Sequence, residues 1–178
     1  GPQGIGGVIM KDDLAKQITC LVQGGTGSRS ESFEMPNFLP DKFESGTLNI
    51  PGIYGLLKAL DYLKEKGLEN IIKEELKLTQ RLISGIQSIE NLNLIGIPDI
   101  NNRSAVVSIV SVQKDNAQVA FELDQSYGIM TRVGLHCAPL AHKTLGTYPQ
   151  GTIRLSLGHF NTSEEVDYCL NALKEITK

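Results

Sequence analysis

The chain has little cysteine, no surplus of positive charge and no long apolar run, and each shortage closes off a class of protein. Only Cys20, Cys137 and Cys169 occur among 178 residues. They form no C-x-x-C pair and no spacing suited to zinc, and an odd count argues against a disulfide framework. A net charge of −3 leaves no electrostatic footprint for nucleic acid or an anionic membrane. No apolar run is long enough to span a bilayer, and the opening residues lack the charged and apolar regions of a secretory signal. These shortages lead us to expect a reducing, cytoplasmic setting, no metal centre, and neither nucleic acid nor membrane as partner. With 40% hydrophobic and 21% charged residues, the composition is that of an ordinary globular protein, long enough for one sizeable core or two small ones.

Along the chain, Gly1 to Gly7 form a glycine-rich turn that leads into Val8-Ile9-Met10, which reads as a strand with nothing before it to pair against. Ile18, Cys20 and Val22 alternate like a further strand, which would bury Cys20. Gly24 to Ser28 open a long irregular stretch that contains Pro36 and Pro40 and ends at Lys42-Phe43-Glu44-Ser45-Gly46-Thr47. Loops of such length are commonly functional. Residues 1–50 therefore read as a piece of a larger domain, and residues 51–178 as a second, smaller one.

From Pro51, well placed in a first helical turn, the pattern becomes helical. Ile53, Leu56, Leu57, Leu60 and Leu63 share one face up to Gly67. A second helix over 68–89 aligns Leu68, Ile71, Ile72, Leu78, Leu82, Ile86 and Ile89. Strands are predicted over 93–96, 105–111, 129–132 and 152–156. A helix is predicted from Asp115 or Asn116 to Tyr127, with Gly128 as its stop, and Thr162-Ser163-Glu164-Glu165 is a capping box for a last helix. The fold class is α/β, in the form of an α+β layer with a small sheet covered by helices on one side.

Two of the cysteines read as core or strand residues, since Cys169 falls at helical spacing with Val166, Leu170 and Leu173. Cys137 has no apolar periodic setting. It lies in Arg132-Val133-Gly134-Leu135-His136-Cys137-Ala138-Pro139 and is followed by Gly151-Thr152-Ile153-Arg154-Leu155-Ser156. A thiol needs nearby positive charge to become a nucleophilic thiolate, so this stretch reads as a reactive cysteine loop between two arginines. His136 reads as structural as readily as catalytic. His142 and His159 carry no assigned chemistry.

Taken in order, the Gly1–Gly7 turn, the Gly24–Ser28 cluster, Phe43-Glu44-Ser45-Gly46-Thr47, the Arg132–Ala138 loop and Gly151–Ser156 resemble the C-terminal half of a class V aminotransferase-fold enzyme, nearest to the cysteine desulfurase and selenocysteine lyase branch. The resemblance covers nearly the whole chain. It implies the C-terminal portion of a fold-type I homodimer dependent on pyridoxal phosphate, with a remnant of the large cofactor-binding domain at the N-terminus. It further implies L-cysteine as substrate and a protein as sulfur acceptor. By motif, Cys137 would be the sulfur-accepting nucleophile and Arg154 the clamp on the substrate carboxylate. Arg132 would support the loop and its anionic states, and Gly46 with Thr47 would reach the phosphate of the partner subunit's cofactor.

The family's Schiff-base lysine lies just before the Gly-Pro-Gln-Gly turn, and neither Lys11 nor Lys16 has its histidine or turn context. The resemblance therefore implies a C-terminal fragment that is inactive by itself. Two alternatives stand beside the desulfurase. One is another class V lyase, epimerase or aminotransferase; the other is a non-enzymatic α+β binding module with an incidental cysteine.

Overall fold

The structure, a computed structural model, describes every residue except Thr26, so the middle of the Gly24–Ser28 cluster lies outside the described residues. The chain divides into two compact units, Gly1–Lys66 and Gly67–Lys178. The helix that starts at residue 50 thus groups with the first unit, although the sequence pattern had joined it to the second.

In the first unit neither expected strand forms. Val8 and Ile9 are exposed, and Ile18 to Val22 have no strand geometry. A strand needs a neighbour to satisfy its N–H and C=O groups, and the described residues of this unit offer none. Cys20 is only half-buried. A short helix α1, Asp12–Gln17, forms instead, with Asp12 and Asp13 in its first turn and Lys16 in its last, the arrangement its dipole favours. The buried Lys42 ammonium, from a single 3-10 turn at Asp41–Phe43, donates to the Ala15 and Lys16 carbonyls at 2.8 and 3.1 Å. The ends of the long irregular stretch are tied where Gly46 N–H donates to the Gly25 carbonyl at 2.8 Å. Helix α2, Ile50–Lys66, follows, its start held by Asn49 Oδ1, which accepts from Gly52 N–H at 3.1 Å. The expected apolar face is present but not buried: Ile53, Leu57, Leu60 and Leu63 are between 39 and 55% exposed.

The second unit is a mixed α/β layer. Its elements are α3 (Leu68–Gln87), β1 (Leu92–Ile95), β2 (Val106–Ser111), α4 (Asn116–Tyr127), β3 (Arg132–Gly134), α5 (Pro139–Thr144), β4 (Thr152–Ser156) and α6 (Ser163–Ile176). The four strands form an antiparallel sheet in the order β1-β2-β4-β3. Side chains alternate across a sheet, so Val107 and Ile109 of β2 and Ile153 and Leu155 of β4 point into one core, with α3, α4 and α6 packed over them. Helix α3 contributes Ile71, Leu78, Leu82, Ile83 and Ile86, while Leu68 and Ile72, expected in the core, are exposed.

The ends of α4 follow from local chemistry. Asp115 accepts from the Ala117 and Gln118 N–H groups, and Gly128 takes the left-handed conformation at the C-terminus. That closure also explains why the third strand begins at Arg132 and not at Ile129. The Ile129 N–H is spent on the Leu123 carbonyl at 2.9 Å, so the residue belongs to the helix cap and not to a ladder. The capping box of α6 is formed reciprocally between Thr162 and Glu165.

Gly151 opens β4 at φ +74°, with the Gly134 backbone where a side chain would stand. Both the left-handed conformation and the contact exclude a Cβ. Gly151→Ala is expected to cost on the order of 2–3 kcal/mol in chemical denaturation. A loss well under about 1 kcal/mol would mean that β3 and β4 separate easily.

Candidate active site

The sheet face turned away from the helices carries the arginines singled out in the sequence. Because Ile153 and Leu155 point into the core, Thr152 and Arg154 point the opposite way. The register places Arg132 of β3 directly opposite Arg154 of β4, and Ser108 of β2 on the other side of Arg154. Like charges directly across strands destabilise a sheet, so this pair is unfavourable to the ladder as it stands. The Arg154 Nε is buried and has no hydrogen-bond partner.

The chain leaves β3 at Gly134 and turns back over this face. His136 and Cys137 both lie in the left-handed region, at φ 52° and 60°. Two consecutive non-glycine residues there are uncommon and are retained only where the surroundings enforce them. One enforcing contact is His136 Nε2 with Thr152 Oγ1, at 3.1 Å. With His136 fixed inward, Cys137 points out, exposed, and Arg132 Nη2 donates to its sulfur at 3.6 Å. Pro139 then occupies the first turn of α5, a helix not foreseen from the sequence. It buries His142, whose Nδ1 lies 2.7 Å from Thr147 Oγ1 and whose ring centroid lies 5.7 Å from that of His136.

Burial, then the guanidinium groups of Arg154 and Arg132, then the His142 ring hold the His136 pKa below the usual histidine value. The imidazole is therefore neutral at physiological pH, and its buried Nδ1 has no partner. The depressed pKa sets the sign of a pH effect. The unfolded chain takes up this proton first, so the contribution is complete above about pH 6.5 and is lost as pH falls toward the lower folded value. The thermal midpoint is expected to drop more between about pH 7.5 and about pH 5.5 in the wild type than in His136→Asn. Equal drops would show that His136 is not held neutral. Asparagine keeps the left-handed geometry available.

The other two cysteines lack this setting. Burial pushes the Cys169 thiol up to about 11, and Cys20 lies in the first unit. Gly46 and Thr47 also belong to the first unit. Gly46 is at φ +72° with its N–H committed to Gly25, and Thr47 is exposed. Thus Arg132, Cys137 and Arg154 come together within one unit, with Thr152 and His142 as members that motif reading missed. The sign that Thr152 faces outward was its place two residues before Arg154 on a strand.

A family model described as aminotransferase class-V matches residues 1–169. The chain belongs to the class-V aminotransferase family. A probable cysteine desulfurase of Methanothermobacter thermautotrophicus is 34% identical over 180 residues, covering 99% of this chain and 44% of that protein. A cysteine desulfurase of Escherichia coli O157:H7 is 35% identical over 182 residues, covering 99% and 43%. Among solved structures, the apo cysteine desulfurase of Thermococcus onnurineus superposes with a TM-score of 0.72 at 35% identity, covering 78% of this chain and 34% of that one. This class-V chain therefore spans less than half the length of the curated relatives it matches. No helix among the described residues is long and apolar enough to cross a membrane.

Proposed function

We propose that these residues form part of a homodimeric, pyridoxal phosphate-dependent cysteine desulfurase, which converts L-cysteine to L-alanine and leaves the sulfur as a persulfide on Cys137. The observation that carries the reading is the thiol of Cys137, exposed on an enforced turn with the Arg132 guanidinium 3.6 Å away, and with Arg154, whose Nε has no partner, directly opposite Arg132 in the ladder.

The residues present fit the cofactor at its anionic end. Thr47 offers an exposed hydroxyl on a loop pinned by Gly25 and Gly46, and this hydroxyl would hold the phosphate in the partner subunit. Gly46 serves by its backbone conformation, because its N–H is already spent. When bound, pyridoxal phosphate supplies an electron sink for the amino acid it holds.

The work of this chain's own residues follows from their geometry. Arg154 receives the substrate carboxylate, whose two oxygens match the guanidinium fork and satisfy the unpartnered Nε. Arg132 favours the anionic state of Cys137. The thiolate attacks the sulfur of the substrate, and the carbon–sulfur bond breaks with its electron pair left on carbon. That carbon takes up a proton to give alanine, and the sulfur stays on Cys137 as a persulfide. Neutral His136 keeps the turn in place through Thr152 without adding a third positive charge to those of Arg132 and Arg154. The persulfide then passes to a thiol acceptor.

In the full-length protein supplied with L-cysteine and a reducing thiol, alanine and sulfide are expected to appear one for one. Pyruvate with ammonia, or transamination without sulfide, would assign a different class V reaction. The 178 residues by themselves are expected to turn over no cysteine. Lys42 is buried against backbone carbonyls, and Lys143, although it follows a histidine, is exposed with its ammonium 5.1 Å from the Tyr148 ring. Titrating this chain with pyridoxal phosphate should leave no stable absorbance band near the visible edge; a persistent band would contradict the expectation.

A further inference from the structure

His142 has no part in the chemistry proposed above, yet it is buried at 6% exposure. It is the one side chain that α5 buries, so this short helix seats itself on an imidazole where an apolar residue is the ordinary choice. Polar burial is concentrated here. Asn116, Thr147 and Thr152 are each at 9% exposure or less, and all lie in or against the segment that joins the cysteine turn to β4. The bonds among them close a ring. His142 N–H donates to the Ala138 carbonyl at 3.2 Å, Thr147 N–H to the His142 carbonyl at 2.9 Å, and Gly151 N–H to the Thr147 carbonyl at 2.7 Å. Thr147 Oγ1 meets His142 Nδ1 at 2.7 Å, and Asn116 Nδ2 of α4 donates to the Gly151 carbonyl at 3.2 Å. Thr152, the next residue, holds His136 Nε2 at 3.1 Å. Asp115 lines the same cleft as Thr147, but its side chain is spent on the Ala117 and Gln118 N–H groups.

His136 has little else to hold it. Its Nδ1 is buried without a partner among the described residues. That leaves the one hydrogen bond to Thr152 and the His142 ring, 5.7 Å away between centroids. The left-handed conformations of His136 and Cys137 persist only where neighbours over-determine them. A buried hydrogen-bonded pair adds little to stability, since apolar groups of the same shape can replace both partners at almost no cost. What a satisfied polar network does is fix one arrangement.

We propose that His142 and Thr147 are positioning residues for Cys137: the hydroxyl fixes the His142 ring, and that ring backs His136 so that the turn presents the thiol beside Arg132. The proposal rests on the reading of Cys137 as the nucleophile. Neither residue touches the substrate. Their effect is on the contact between the thiol and the Arg132 guanidinium, 3.6 Å in this structure.

This geometry can be read without substrate. Cys137 of the full-length protein is alkylated in separate reactions with iodoacetate and with iodoacetamide, and its peptide is followed by mass spectrometry. The ratio of the two rates cancels the thiolate fraction and reports positive charge near the sulfur, with 2-mercaptoethanol as the uncharged reference. The wild-type ratio is expected to exceed the reference about threefold or more at low ionic strength, and to fall with salt. Thr147→Ser keeps the hydroxyl and should keep the ratio. Thr147→Val, and separately His142→Leu with Thr147→Val, should bring it close to the reference, as should Arg132→Ala. The double substitution replaces both polar partners by apolar ones, so its thermal midpoint should stay near that of the wild type. The proposal is overturned if the folded double variant keeps the wild-type ratio, which would make the pair a filling of the core. It is also overturned if Thr147→Ser loses the ratio as fully as Thr147→Val, or if the wild type does not exceed the reference. The expected ratios in a protein that forms no persulfide would remove the desulfurase reading and leave the positioning of the thiol standing.

Discussion

Serine in place of Cys137 is expected to lower sulfide release from L-cysteine in the full-length protein by roughly three orders of magnitude or more. A hydroxyl at this position stays protonated at neutral pH, and one guanidinium beside it does not change that. The oxygen would have to attack sulfur without the polarisability that makes a thiolate effective. Serine is close to cysteine in size and accepts the left-handed turn no worse, so the fold and the Arg154 clamp remain. The loss should therefore fall on kcat and leave KM little changed. Steady-state kinetics of the two proteins, with sulfide as readout, separate the possibilities. An undiminished kcat would remove the nucleophile assignment and with it the desulfurase reading.

Replacing Arg154 by alanine is expected to lower kcat/KM by about 2–4 kcal/mol of transition-state stabilisation, roughly 30- to 1,000-fold. Lysine should restore only part of this, because it supplies the charge without the fork. Stability provides the control. Arg154 stands directly opposite Arg132 in the ladder, and relief of like charge should leave the thermal midpoint of Arg154→Ala equal to the wild type or higher. Lost activity accompanied by a clear fall in the midpoint would instead mean that Arg154 supports the sheet. A kcat/KM within a factor of about two of the wild type would remove it from the substrate site.

The second unit was the more legible of the two because its signals are local. Asp115 and Gly128 delimit α4, Thr162 and Glu165 start α6, and the alternation in β2 and β4 sorts core from open face. Each depends on residues within one turn or one strand. What could not be read depends on partners distant in sequence. Val8 to Met10 and Ile18 to Val22 have strand-like composition, but composition does not supply a neighbouring strand. The apolar face of α2 has the right period, yet periodicity shows which residues share a face and not whether anything covers them.

At the site, the motifs marked Arg132, Cys137 and Arg154 one by one. Their relation, with two arginines paired across a ladder and the thiol turned outward by a histidine held on Thr152, emerges only from the strand register. Helix α5 was not foreseen because the sequence reading passed from the cysteine loop to the strand over 152–156 without assigning an element between them, although Pro139 stands where a helix begins.

The central claim is that Cys137 carries sulfur taken from L-cysteine. The direct measurement is mass spectrometry of the alkylated Cys137 peptide from the full-length protein after brief exposure to L-cysteine without reductant. The account predicts one added sulfur on Cys137, absent from the Cys20 and Cys169 peptides and lost on treatment with a thiol. An unmodified Cys137 in a protein that is releasing alanine and sulfide would contradict it.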